Sequence, residues 1–143
     1  MTETIKRTGP RYALDPVAFA KALILAPLIV AAFGFWVFLI PVFAVVFGGP
    51  LYLIVGTPVL MIYLHYAQGD PRGTSILAFA TVVVGAGLLV LADQVLDLLR
   101  HPDGLVFWIG FALVFAPLWG LTFGKLYNRW RSDLSRRPLP PLP

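Results

Sequence analysis

The residues best suited to chemistry lie in one stretch, Asp93-x-x-x-Asp97-x-x-x-His101. Positions four apart share a face of a helix, so this spacing would bring two carboxylates and one imidazole together. Such side chains are ligands of divalent metal ions, and they can also act as acid–base groups. The stretch therefore raises two hypotheses, a metal site and an interfacial enzyme.

The same stretch has the pattern of an amphipathic helix at a membrane interface. Val95, Leu96, Leu98 and Leu99 fill its other face. Arg100 can pair with Asp97 three positions away, and Pro102 disfavours helical geometry at the preceding His101. We favour this structural interpretation. We predict no catalytic residue, no metal site and no cofactor, and the chain is not expected to be an enzyme.

Composition indicates which elements hold these residues. The hydrophobic fraction is 59% and the charged fraction 13%, against roughly 45–50% and about 25% in soluble domains. Lipid is therefore the natural solvent of the chain. The absence of cysteine excludes disulfides, Cys-ligated metals and thiol catalysis. The net charge of +4 is concentrated at the two ends, which indicates membrane flanks rather than a nucleic-acid-binding surface.

Four apolar runs are predicted to be transmembrane helices. Ala22 to Leu64 is a run of 43 residues without a charged residue or a histidine, and one span needs about 20. Gly48-Gly49-Pro50 offers a turn, so we place the first reversal there. The spans are predicted near residues 22–45, 51–66, 74–92 and 104–124. Residues 1–21 do not resemble a signal peptide and are expected to remain as a cytoplasmic segment.

The fold prediction is an all-α integral membrane protein, a four-helix bundle over residues 22–124 with both termini cytoplasmic. Helices are required because backbone groups cannot stay unpaired in lipid, and the runs lack the period-two pattern of a membrane barrel. This arrangement puts ten of the eleven basic residues on one side, with Arg100 opposite. The positive-inside rule makes that side cytoplasmic, so residues 125–143 form a basic, Pro-rich cytoplasmic tail.

An alternative is a re-entrant hairpin, in which the first two apolar runs dip into the membrane and return to the same side. These runs are rich in proline and glycine: Pro27, Gly34, Pro41, Gly56 and Pro58. Charge does not separate the two arrangements, because both return Arg72 to the cytoplasm. We favour two full crossings.

Aromatic side chains partly support the assignment of depth. Tyrosine and tryptophan concentrate at membrane interfaces. The predicted inner interface holds Tyr63, Tyr66, Tyr127 and Trp130, and the outer one holds Tyr52 and Trp108. His65 lies at the inner end of the second span and His101 on the opposite side, so the two cannot ligate one haem. We interpret His65 as an interface residue.

Small residues offer surfaces for helix packing. Gly120-x-x-x-Gly124 in the fourth span fits the close-approach motif, and Gly85-Ala86-Gly87 makes a smooth patch on the third. Such patches serve internal packing or association with a partner, and the sequence does not distinguish the two. The last seven residues, Arg-Pro-Leu-Pro-Pro-Leu-Pro, favour polyproline II. They resemble an SH3 ligand, and we interpret them as a stiff, solvated tail.

The sequence predicts a multi-pass protein of the bacterial inner membrane and a non-catalytic accessory or assembly subunit of a larger membrane complex. The reasons are the lack of an ionisable residue at mid-depth, where such residues mark function, and the glycine patches. Its expected partners are lipid and a membrane protein, or a second copy bound through small-residue faces. The alternative is a small homo-oligomeric transporter or channel for an apolar or weakly polar solute, suggested by kinked helices and by Gly56-Thr57-Pro58.

Overall fold

The computed structural model describes residues 11–38, 44–96 and 102–139. Over these ranges the chain is mostly helical. Helix α1 is Pro16–Phe38, α3 is Pro71–Leu96, α4 is Pro102–Trp130 and the short α5 is Asp133–Arg136. Helix α2 consists of four consecutive helical segments, Ala44–Gly48, Gly49–Leu51, Tyr52–Gly56 and Thr57–Tyr66.

Helices α1 to α4 contain the four segments of the described chain that are long and apolar enough to cross a membrane. These segments are Pro16–Gly34, Gly49–Tyr66, Pro71–Gln94 and Val106–Trp130. The prediction of an all-α fold with four membrane-spanning helices is confirmed at this level. By length and composition the chain fits a multi-pass membrane protein.

The first reversal of the chain does not lie where the sequence placed it. Gly48, Gly49 and Pro50 are helical, and α1 ends ten residues earlier, at Phe38. Residues 39–43, which follow α1 and include Pro41, lie outside the described residues. Pro50 sits in the first turn of an α-helical segment, where a missing N–H is tolerated. Predicted span 1, residues 22–45, begins six residues after the start of α1 and runs past its end at Phe38. Predicted span 2, residues 51–66, nearly coincides with the candidate span Gly49–Tyr66.

Two segments of α2 are π-helical, and each ends two residues before a proline. Ala44–Gly48 precedes Pro50 and Tyr52–Gly56 precedes Pro58. A proline ring clashes with the carbonyl four residues earlier and donates no hydrogen bond to it. The wider π turn accommodates this clash without breaking the helix. Helix α2 thus remains continuous through two prolines.

Capping aspartates start α1 and α3 earlier than the predicted spans. Asp15 accepts a hydrogen bond from the backbone N–H of Ala18 (3.1 Å) and starts α1 at Pro16. Asp70 accepts one from the N–H of Gly73 (3.0 Å) and starts α3 at Pro71. An aspartate N-cap followed by proline is a strong start signal for a helix, and it extends α1 and α3 past the apolar runs.

Helix α4 is central and packs against both α1 and α3. The edge of Phe19 in α1 meets the ring of Phe123 in α4, with centroids 5.5 Å apart. Helix α2 adds Leu60 and Leu64 to this cluster. The remaining buried members are small or apolar residues of α1 and α4: Ala18, Ala22, Leu23, Ala26 and Tyr127. The core therefore joins three of the helices and concentrates near Phe123.

The two glycines of the fourth span serve internal packing. A Cβ atom at Gly120 would lie 2.5 Å from the backbone oxygen of Thr74 in α3. One at Gly124 would clash with the Thr74 hydroxyl and lie 2.7 Å from Pro71 Cα. The helix backbones therefore touch here, as the close-approach motif allows. Thr74 is fully buried at the contact.

Candidate functional site

The two ends of the described chain meet at one end of the bundle. Tyr12 and Pro138 form an antiparallel β-bridge, in which the N–H of Leu139 donates to the carbonyl of Arg11 (2.7 Å). The N–H of Tyr12 donates to the carbonyl of His65 at the end of α2 (3.0 Å). We call this region, formed by residues 11–15, 67–70 and 128–139, the terminal end. The backbone of this segment is paired there, while the side chains of Pro138 and Leu139 are exposed, in keeping with the interpretation of the tail as solvated; residues 140–143 lie outside the described residues.

Asp15 connects the start of α1 to the chain beyond α4. One carboxylate oxygen accepts from Ala18, and the other accepts from the N–H of Ser132 at 2.9 Å. These backbone hydrogen bonds, first that of Ala18 and then that of Ser132, lower the pKa of Asp15 below its ordinary value of 3.8. The carboxylate is thus stabilised in its charged form, and it holds two chain segments that are far apart in sequence.

The loop between α2 and α3 is held by residues at the end of α4. Asn128 donates its side-chain amide to the carbonyl of Gly69 (2.8 Å), and Arg131 Nη1 donates to the carbonyl of Gln68 (2.6 Å). Gly69 has φ +72°, and a Cβ there would lie 2.7 Å from Leu64 Cδ2. Only glycine fits this conformation and this space. The terminal end is therefore a polar network that joins the N-terminal segment, the loop and the C-terminal segment.

Tyr52 and Trp119 meet inside the bundle. Their rings are in edge contact, with centroids 5.1 Å apart, and a Cβ at Gly48 would lie 3.3 Å from Trp119 Cη2. Neither the Tyr52 hydroxyl nor Trp119 Nε1 has a hydrogen-bond partner among the described residues. The ring of Tyr52 therefore packs against Trp119, and its place at the outer interface stays a prediction. Tyr52 lies three residues inside the candidate span that begins at Gly49.

The residues first considered for chemistry are only partly described. Asp93 lies in α3, whereas Asp97 and His101 lie outside the described residues. Within the described ranges no group of three or more metal-ligating side chains occurs. The ring of His65 contacts Tyr66, with centroids 5.1 Å apart, at the end of α2. The structure does not bring His65 together with a described carboxylate or a second imidazole.

The end of the α3–α4 hairpin farthest from the terminal end is exposed on nearly every side. In residues 83–91 of α3, eight of nine residues are exposed, and in residues 106–110 of α4 four of five are exposed. We call these two segments the α3–α4 tip. A Cβ atom at Gly85, Gly87 or Gly110 would have no neighbour within 4 Å. A helix at the surface of a bundle exposes one face to lipid and buries the other against the protein. The described residues of the tip are exposed on both faces.

Aromatic rings follow one face of α4 from the tip inward. Phe111 contacts Phe107 and Trp108, with centroid distances of 6.1 and 6.2 Å, and it contacts Phe115 at 4.4 Å. The rings of Phe107 and Trp108 are exposed. The spacing of four residues puts Phe107, Phe111 and Phe115 on one face. This row gives the tip a large and rigid apolar surface, which the sequence analysis did not single out.

Comparison of the chain with protein-family models, with curated proteins and with solved structures finds no match.

Proposed function

We propose that the chain is a non-catalytic accessory or assembly subunit of a larger complex in the bacterial inner membrane. The transmembrane helices of a partner protein would pack against the α3–α4 tip. The observation that carries this proposal is the exposure of eight of nine residues at positions 83–91. In lipid, helices associate through close packing of small residues rather than through a hydrophobic drive. Gly85 and Gly87 offer such a surface, and the aromatic rings of α4 flank it.

The interior of the bundle favours a non-catalytic accessory role over catalysis or transport. Its interior is filled by large side chains, including Phe19, Leu64, Trp119 and Phe123. Transport of an ion or a polar solute calls for polar groups along a path through the membrane. The polar network instead gathers at the terminal end, where it fixes one end of the bundle and leaves the other end for a partner.

The orientation proposed for the complex has the terminal end in the cytoplasm. The terminal end and its flanks carry most of the basic side chains: Arg11, Lys21, Arg72, Lys125, Arg129, Arg131, Arg136 and Arg137. Positive charge is retained on the cytoplasmic side of bacterial membranes. Since the chain has no cysteine, an Arg137→Cys variant provides a single label. It should react with an impermeant thiol reagent only after the cells are permeabilised.

The association is tested by purifying the tagged protein in native lipid nanodiscs. A Gly85→Leu variant adds a side chain to the tip, where no atom lies within 4 Å of the Cβ position, so the fold should be kept and the complex lost. Ala32→Leu is the matched control, because Ala32 is an exposed residue of α1. Loss of a defined partner in G85L and its retention in A32L are expected. A parent protein that purifies alone in lipid, as a monomer, contradicts the proposal.

Helix α2 favours a second candidate, a small homo-oligomeric transporter for an apolar or weakly polar solute. Its two π turns precede Pro50 and Pro58, which cannot donate a backbone hydrogen bond to the carbonyl four residues earlier. Tyr52 and Trp119 each carry a donor without a partner among the described residues. Discontinuous helices expose backbone groups to substrate in transporters. Flux into proteoliposomes that falls when Thr57→Cys is blocked by a thiol reagent would support this candidate over the first.

A further inference from the structure

A hollow of about 320 Å³ opens at the terminal end. Its walls are Gln68, Asp70, Asn128, Arg131 and Arg136. This volume is near the lower limit of small-molecule sites, about 300–1,000 Å³. It therefore suits a polar headgroup rather than a large cofactor. In the proposed orientation, on which this inference rests, the hollow lies on the cytoplasmic side, where basic side chains flank the membrane at the level of lipid headgroups.

The hollow holds charges of both signs. Arg131 donates Nη1 to the carbonyl of Gln68, and its Nε is buried. A guanidinium binds oxyanions through two parallel hydrogen bonds, so Arg131 must turn toward the hollow to bind a phosphate in this way. Asp70 uses one carboxylate oxygen to cap α3, and its charge also faces the hollow. The described residues show no ion pair between Arg131 and Asp70, so neither charge neutralises the other directly.

Two atoms in these walls have no hydrogen-bond partner among the described residues, and they are of opposite kinds. Arg131 Nε is a donor without an acceptor, and Asn128 Oδ1 is an acceptor without a donor. Polar atoms buried in this way are normally paired. Both are shielded from solvent, so a ligand engages them only with a small rotation of the side chains toward the hollow. A ligand that pairs with both must carry an acceptor and a donor.

We infer that the hollow binds a phosphoethanolamine group, the headgroup of an inner-leaflet lipid. The phosphate accepts from Arg131 and Arg136, and the ammonium donates to Asp70 and to Asn128 Oδ1. A phosphocholine group has the same charges but no N–H donor, so it leaves the acceptors unpaired. A purely anionic headgroup satisfies the arginines but meets the carboxylate of Asp70. Of these headgroups, phosphoethanolamine alone offers both a phosphate for the arginines and N–H donors for Asp70 and Asn128.

The inference is tested by native mass spectrometry of the full chain in mixed micelles. The probes are phosphatidylethanolamine, phosphatidylcholine and phosphatidylglycerol with identical acyl chains. The parent should retain the ethanolamine lipid preferentially, and Arg131→Gln should reduce that retention about tenfold, the effect of one charged hydrogen bond. Arg129→Gln is the matched control, since Arg129 is an exposed residue of the same helix outside the hollow. Equal retention of the three lipids by the parent overturns the inference.

Asp70→Asn separates the roles of the two walls. The amide oxygen of asparagine can still accept from Gly73, so the cap of α3 is kept while the charge is removed. The variant should lose its preference for phosphatidylethanolamine over phosphatidylglycerol and keep overall lipid binding. An unchanged preference in D70N contradicts the assignment of the ammonium to Asp70.

A further arm distinguishes a lipid from a soluble ligand of the same chemistry. Glycerophosphoethanolamine carries the headgroup without acyl chains and is titrated into the full chain by calorimetry. Weak, Arg131-dependent binding in this arm, together with strong retention of the lipid, identifies the lipid as the occupant. Binding of the soluble compound as tight as that of the lipid overturns the lipid assignment.

Discussion

The two ends of the α3–α4 hairpin differ in how closely the two helices pack at their glycines. Near the terminal end, Gly120 and Gly124 let the backbones of α4 and α3 touch around the buried Thr74. At the tip, Gly85 and Gly110 have no neighbour within 4 Å of a Cβ position. Glycine thus has two roles in one hairpin: at one end it allows a helix contact that holds the bundle, and at the other it forms a surface that no described residue contacts.

The contrast shows that glycine content alone does not locate an interface in a membrane protein. Apolar area contributes little to helix association in lipid, because the acyl chains are as apolar as leucine. Association depends on close approach, hydrogen bonds and shape. The terminal end has all three, with the network around Asp15, Asn128 and Arg131. The tip has a smooth surface and aromatic rings, and among the described residues no atom lies within 4 Å of a Cβ position at Gly85, Gly87 or Gly110.

The largest effect is expected for Gly120→Leu. Its Cβ would lie 2.5 Å from a backbone oxygen of α3, so α3 must move away from α4 and its packing is lost. Overpacking of a fixed contact costs typically about 1–3 kcal/mol, and a leucine against backbone should reach the upper end. The free energy of unfolding in mixed detergent micelles measures the change.

Gly110→Leu is the matched control for that variant. It places the same side chain on the same helix, at a position with open space around it. Stability should remain within about 0.5 kcal/mol of the parent, or increase through the better helix propensity of leucine. If the two variants lose equal stability, the contrast between the two ends of the hairpin is wrong.

The next effect is expected for Asp15→Ala. The substitution removes the cap of α1 and the hydrogen bond from Ser132 at once. Loss of an N-cap aspartate costs about 0.5–2 kcal/mol, and the separation of the C-terminal segment adds to it. Proteolysis at the terminal end should become faster in D15A than in the parent. Thr81→Ala, which removes a methyl group and a hydroxyl bonded within its own helix, should leave the proteolysis rate unchanged.

Acid should remove the contribution of Asp15 in the parent protein. Because the folded pKa of Asp15 is lowered from 3.8, its charged form stabilises the fold. That contribution is fully present above pH 3.8 and disappears as the pH falls through the lowered value. In thermal unfolding, the advantage of the parent over Asp15→Asn should be constant above about pH 5 and shrink in stronger acid. A difference that stays constant throughout this range would contradict the role of the charge.

The smallest effect is expected for Ser75→Ala. The serine hydroxyl donates to the carbonyl of Pro117 across the α3–α4 contact at 2.9 Å. Hydrogen bonds between membrane helices contribute about 0.6 kcal/mol on average. The loss should be of that size by unfolding in mixed micelles. A loss above about 2 kcal/mol would show that this bond, rather than the glycine contact, holds the hairpin together.

The number and type of spans were predictable because apolar length and the absence of charge are local properties of the sequence. The first reversal was not. Gly48-Gly49-Pro50 has the composition of a turn, but it lies within α2, where a π turn absorbs the proline. Composition does not reveal how a neighbouring helix supports such a kink. The start of α1 could have been found, since Asp15-Pro16 is a cap followed by proline.

The terminal end could not be predicted from local pattern. Its contacts join residues such as Asp15 and Ser132, or Arg131 and Gln68, that are far apart in sequence. The pairing of Tyr12 with Pro138 likewise depends on where the helices bring the chain ends. The glycine motif at Gly120 was recognised, but only the structure shows that α3 already occupies it.

Site-specific photo-crosslinking in living cells tests the central claim most directly. A photoreactive amino acid is placed at Val84 in the tip, which is 61% exposed, and at Ile24 of α1, which is 56% exposed. We expect a crosslink from Val84 to one other membrane protein and only lipid adducts from Ile24. Lipid adducts alone at both positions, in a folded and correctly inserted protein, would contradict the tip as the surface that binds a partner.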